Sequence, residues 1–175
     1  MKNVLLKVLL VLVAVLRPAN AQSIEYVTVH KASDDRAILL RADGTAYLVQ
    51  KGAGCPSLER YEGRQVVVIS PGLFLGVGSK LVIPELNQEC RIWDAEEVSL
   101  EYVMLYKVEG NHAILIRDDL TVYLVQTWCP LLWLYEGKYV IVISSGFFLG
   151  VGSKLLTPDL DKECSIWSVE EIRLR

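Results

Sequence analysis

The strongest constraint on this chain is that most of it is written twice. Residues 25 to 50 match residues 101 to 126 at an offset of 76, from Glu25-Tyr26-Val27 against Glu101-Tyr102-Val103 to Tyr47-Leu48-Val49-Gln50 against Tyr123-Leu124-Val125-Gln126. From Cys55 onward the offset is 74, so two residues are missing from the second copy just before its cysteine. The octapeptide Phe74-Leu75-Gly76-Val77-Gly78-Ser79-Lys80-Leu81 recurs unchanged at residues 148–155. A period of this length identifies one structural unit used in tandem. The units are 22–99 and 100–175, after a leader at 1–21. No Pro/Gly/Ser-rich linker separates them near Ser99-Leu100. The two units are therefore expected to pack against each other.

Each unit reads as all-β. In the first, Glu25–Lys31, Arg36–Arg41, Thr45–Gln50, Gln65–Ser70, Lys80–Ile83 and Cys90–Trp93 are short runs rich in Val, Ile, Leu and Tyr between turn residues. Asp43-Gly44 signals a hairpin, because these residues accept the positive φ of a tight turn. The second copy has Asp119-Leu120 there, so a different turn is expected. Pro56 to Gly63 lacks alternation and reads as a single helical turn closed by the glycine. Six short strands with one helical turn predict two tandem small β-barrels, OB-like or SH3-like. A β-sandwich is the alternative.

Four cysteines fall at equivalent places, Cys55 and Cys90 in one copy and Cys129 and Cys164 in the other, each pair 35 positions apart. One disulfide within each copy is expected in an oxidising compartment. The spacing suits neither a zinc site nor haem attachment. A unit this small has a marginal core, and closing such a loop contributes roughly 3 to 4 kcal/mol.

The leader agrees with that compartment. Lys2 precedes an apolar run from Val4 to Leu16, broken only by Lys7, and then Ala19-Asn20-Ala21. A basic start, an apolar core and a small-residue cleavage site make a signal peptide, with cleavage expected after Ala21. The run is short for a membrane span, and no later run is long enough. The mature chain is expected in the periplasm, the cell envelope or the extracellular space. Losing Lys2, Lys7 and Arg17 leaves 15 basic against 21 acidic residues, a formal charge of −6, which disfavours nucleic acid as a partner.

No catalytic set emerges. His30 aligns with Tyr106, and His112 with Arg36, so no histidine site is common to both copies. Both histidines fall at strand ends and read as solvated. Ionisable residues common to both copies lie mostly at strand ends or turns. Glu96 and Glu97 are neighbours on a strand and point to opposite faces, which rules out a carboxylate dyad. Gly76-Val77-Gly78-Ser79-Lys80 has the wrong glycine spacing for a phosphate-binding loop. No enzyme activity, cofactor or metal is expected.

Two features suggest binding. Leu73-Phe74-Leu75 and Phe147-Phe148-Leu149 are unusually apolar for connections; Phe74, Phe147 and Phe148 either plug the end of a barrel or form sticky patches. The second feature is a difference between copies. Gly54-Cys55-Pro56-Ser57-Leu58-Glu59-Arg60-Tyr61 becomes Trp128-Cys129-Pro130-Leu131-Leu132-Trp133-Leu134-Tyr135. So much apolar surface calls for a cover, either the first copy or another molecule. Trp93 and Trp167, shortly after a strand cysteine, are expected in the cores. The function expected is that of an exported, non-catalytic tandem module working by protein contact, with a protein partner or in a homo-oligomer. The alternative is a small-ligand or glycan-binding protein using a cleft between the copies near Trp128 and Trp133.

Overall fold

A computed structural model of the chain describes residues 22–72, 75–144 and 149–172. The signal-peptide reading of residues 1–21 falls outside this range, as do Phe74, Phe147 and Phe148. The described residues form eleven strands: β1 (Ser23–Ala32), β2 (Arg36–Leu40), β3 (Ala46–Lys51), β4 (Gln65–Ser70), β5 (Lys80–Ile83), β6 (Gln88–Glu109), β7 (His112–Ile116), β8 (Val122–Thr127), β9 (Tyr139–Ser144), β10 (Lys154–Leu156) and β11 (Glu163–Ile172). Single 3-10 turns occupy Glu59–Tyr61, Pro84–Leu86 and Leu132–Tyr135, and no α-helix occurs among the described residues. None of their helical segments is long and apolar enough to cross a membrane.

The strands form one antiparallel sheet that returns on itself. β1 pairs with β2 and β4, β2 with β3, and β4 with β5. The first part of β6 then pairs with both β5 and β3, closing a ring of six strands. At Val98 β6 is still opposite Ala46, and at Ser99 it is opposite Ser144. From there it pairs with β9 and β7, and β8, β11 and β10 complete the same circuit.

β6 departs from the expected layout. The sequence suggests a short final strand at Cys90–Trp93 and a new strand from Glu101; instead a single 22-residue strand serves both halves. Its residues supply the reason, since no Gly or Pro interrupts Cys90 to Glu109 and nothing releases the chain from extended backbone.

Three apolar clusters result. One lies inside the first ring, built on Val27, Val29, Leu39, Val66, Val68 and Leu81. Another, on Val103, Leu105, Leu115, Val140, Val142 and Leu155, lies inside the second. The third belongs to neither interior. It joins Ile38, Ala46, Leu48 and Val98 from one half to Ile141, Ile143, Leu156 and Leu160 from the other. Ile38 and Leu48 alternate along their strands with the inward Leu39 and Val49, so they lie on the outer face of the ring. The halves are thus packed outer face against outer face. This explains why Val140-Ile141-Val142-Ile143 is an unbroken apolar run, since a strand covered on both sides loses its polar alternation. Arg36–Glu163 at 2.7 Å and Lys154–Glu96 at 3.5 Å flank the contact.

Two expectations are corrected. Trp93 and Trp167 are not core residues; they are 56% and 54% exposed. Each follows an inward isoleucine, Ile92 or Ile166, and sits where the register with the partner strand slips by one residue. The bulge and the strand's alternation turn the indoles outward. The Asp119-Leu120 turn does not differ from its counterpart either. Leu120 takes φ of 66° where Gly44 has 88°. Leu120 N–H donates to Arg117 O and Gly44 N–H to Arg41 O, each at 3.0 Å. Asp119 and Asp43 each accept from the backbone N–H two residues on, at 2.9 Å.

Candidate interaction surface

The segment that follows β8 is held at several points. Cys129 is bonded to Cys164 on β11, as Cys55 is to Cys90, with Cα separations of 5.3 and 5.0 Å. Leu132 is buried in the second core, as Leu58 is in the first. Lys162 Nζ donates to Pro130 O at 2.8 Å, and the Tyr135 hydroxyl donates to Asp159 at 2.6 Å. That bond to Asp159 raises the Tyr135 pKa. Burial pushes Asp159 up, but hydrogen bonds from Thr157 and Tyr135 outweigh it and leave its pKa below the usual value.

Anchored this way, the segment presents four large apolar side chains to solvent. Trp128 is 70% exposed, Leu131 51%, Trp133 57% and Leu134 49%. Of the two covers the sequence leaves open, the first half does not serve, because the contact between halves uses the outer faces of β2, β3, β9 and β10 instead. Leu131 also has a left-handed backbone, φ 64°, at the N-cap of the Leu132–Tyr135 turn. For a leucine this costs about 1 to 2 kcal/mol.

The first half shows what the same scaffold does without these residues. Gly54, Ser57, Glu59 and Arg60 occupy the corresponding positions around the buried Leu58. Gly52 has a further role: a Cβ there would lie 2.8 Å from the indole nitrogen of Trp93, so its bare backbone makes room for that ring. In the second half Trp128 fills the shortened connection, and Trp167 is exposed at the same end of the β8–β11 pair.

The connections bearing Phe74, Phe147 and Phe148 are described only in part. Leu75 is buried in the first core and Leu149 packs against the second. Val77 and Val151 stand exposed at the turn tips. Each turn is closed by a serine, with Ser79 Oγ accepting from Gly76 N–H at 3.1 Å and Ser153 Oγ from Gly150 N–H at 3.0 Å.

Several of the charged positions common to the two halves are engaged within the fold. Arg41 pairs with Glu25, and Arg117 with Glu101. Glu62 accepts from the Ala32 N–H at 3.0 Å and Glu136 from the Val108 N–H at 2.8 Å. Lys80–Glu89 at 2.8 Å is matched by Lys154–Glu163 at 2.9 Å. No group of His, Cys, Asp and Glu suited to a metal ion occurs among the described residues.

A cleft of about 650 Å³ does lie between the halves, but away from the tryptophans. His30, Asp43, Thr45, Glu97, Ser99 and Tyr102 line it. His30 Nε2 is hydrogen-bonded to the Tyr102 hydroxyl, and the rings meet edge to face at 5.8 Å. Burial raises the pKa of that phenol. The sequence reading takes His30 as solvated, and nothing in a strand-end histidine 72 positions from its partner signals this contact.

No protein-family model, curated protein or solved structure matches the chain.

Proposed function

We propose that the chain is an exported, non-catalytic protein of two tandem small barrels that binds a protein partner through Trp128, Leu131, Trp133 and Leu134, as an accessory or structural component of a bacterial cell envelope. The observation that carries this reading is the exposure of these four side chains on a segment anchored by a disulfide and a buried leucine. Exposed apolar patches of this kind mark interaction sites. Large aromatic anchors held in place supply most of the binding energy of an interface. The strained Leu131 adds support, because backbone strain persists where the surroundings hold it and concentrates at functional positions. Two disulfides fit an oxidising compartment.

The test is a photocrosslinker placed at Leu131 of the full chain in its native host, with a second at the exposed Arg60 as the matched control. A discrete adduct from position 131, absent at position 60 and abolished by Trp133→Glu, is the expected outcome. Equal labelling at both positions would reject the patch.

A polar ligand in the cleft beside His30 and Tyr102 is the second reading, favoured by the polar lining of that cleft. Titration of Tyr102 fluorescence or NMR signals with candidate sugars and small acids, against a Tyr102→Phe variant, separates it from the first.

A further inference from the structure

The contact between the halves joins two unlike surfaces. One half contributes the outer face of β2, β3 and the first part of β6; the other contributes the outer face of β9 and β10 with Leu160. Such a heterologous contact leaves one unused surface of each kind. The second half has its own equivalent of the first surface, and the first half its own equivalent of the second.

Both unused surfaces keep the chemistry of the used ones. Ile38, Leu40, Ala46, Leu48 and Val98 correspond in sequence to Ile114, Ile116, Val122, Leu124 and Ile172. All five counterparts are aliphatic and all are partly or fully exposed. Likewise Leu100, Ile141, Ile143, Leu156 and Leu160 correspond to Ile24, Val67, Ile69, Val82 and Leu86. These too are aliphatic and none is fully buried: Ile24 is 68% and Leu86 45% exposed, and Val67, Ile69 and Val82 are half-buried. An outer sheet face that met only water would alternate to polar residues.

The polar frame is preserved in part: Arg36–Glu163 has His112 and Glu89 as counterparts, while the other ion pair keeps both charges. Lys154, which reaches Glu96 across the contact, corresponds to Lys80, and Glu96 corresponds to the exposed Glu170. His30 and Tyr102, which bond across the contact, correspond to Tyr106 and Tyr26, which are 57% and 64% exposed.

We propose that a second copy of this chain docks head to tail, the β7–β8 face of one molecule covering the β4–β5 face of the next and repeating the packing found inside each chain. Glu170 then meets Lys80 of the neighbour, and Tyr106 meets its Tyr26. Because the surfaces are unlike, each added molecule presents a fresh face, so assembly proceeds to a ring or a filament. These faces are distinct from the tryptophan segment, so this proposal and the partner reading fail separately.

The experiment is sedimentation velocity over a concentration series, on protein produced from the full chain in an exporting host, its N terminus read by mass spectrometry. Wild type is expected to grow in steps of one chain as concentration rises. Ile69→Glu blocks one face and Leu124→Glu the other, and each alone is expected to weaken association at least 100-fold and sediment as a monomer. Mixed together, they retain one intact face of each kind and are expected to form a 1:1 dimer that grows no further. That complementation separates a blocked surface from a misfolded chain. Lys80→Glu and Glu170→Lys are each expected to weaken assembly about tenfold, and the double variant to recover it. A wild type that stays monomeric to about 1 mM, the weak end of specific affinity, overturns the proposal. So do single variants that still dimerise, which would make the contact symmetric, or an assembly lost only on Trp133→Glu, which would place it on the tryptophan segment.

Discussion

Two residues show where this chain works against its own backbone or charge. Leu120 occupies a left-handed turn position that its counterpart Gly44 fills without strain, and it is 77% exposed, so its side chain returns little by burial. Leu120→Gly is expected to stabilise the protein by about 1 kcal/mol, the cost of a left-handed non-glycine residue. Thermal unfolding should register this as a rise of about 2–4 °C. Lys51 is the second case. It is 5% exposed, with Nζ donating to the Ser33 carbonyl at 2.6 Å, where the second half has Thr127. Burial lowers its pKa, against the opposing pull of Asp34, Glu59 and Asp35. Its folded-state pKa therefore lies below the unfolded value of about 10.4. Between the two, the unfolded chain binds more protons, so stability rises with pH through that window. Urea titrations should find that wild type gains stability relative to Lys51→Met as pH climbs from 8 towards 10.5. A difference that does not change with pH would mean that Lys51 is not desolvated.

At the scale of elements, much was legible in the sequence and the misses have definite causes. Strands β4 and β5 begin and end where the apolar runs do, because Gly and Pro punctuate them. The 3-10 turn before Gly63 follows from the lack of alternation in Pro56 to Gly63. The fusion at β6 was harder to read, since the match between copies suggests a joint that the backbone does not need. Trp93 and Trp167 misled because composition assigns a tryptophan to a core while position decides its face, and each lies an odd number of residues past its inward cysteine. The disulfides were legible from the equivalent placing of the cysteine pairs in the two copies and the oxidising compartment expected for the chain, and each ties the segment after a third strand to the last strand of its ring. Replacing Cys129 and Cys164 together by alanine is expected to cost about 4 kcal/mol, from the 35-residue loop that each bridge closes. Calorimetry of that variant, read beside the Cys55, Cys90 pair, checks whether the halves depend equally on their bridges.

For the whole molecule, the question is whether the two halves unfold as one. Each spans about 75 residues, a size at which a single core is marginal. The third cluster is then more than a seam. Leu156 is fully buried although its side chain lies outside both rings, and β6 runs without a break from one ring into the other. Neither feature could be read from one copy of the sequence, because both copies carry aliphatic residues at the equivalent outer positions and only the fold shows which of those faces meet within the chain. Losing the contact exposes Ile38, Leu48, Ile141 and Ile143 together, so each half should be stabilised by the presence of the other. Leu156→Ala is expected to cost about 2–5 kcal/mol, the range for truncating a buried leucine, although it perturbs neither ring interior. Wild type should melt in a single calorimetric transition whose van't Hoff and calorimetric enthalpies agree. Leu156→Asp, which places a charge in the contact, should divide that transition in two, the second half melting apart from the first. Leu155→Ala, one residue away but inside the second ring, should instead lower the stability of the second half directly. If Leu156→Ala costs less than about 0.5 kcal/mol, as an ordinary surface substitution does, the halves are merely tethered and the third cluster contributes little to holding them together.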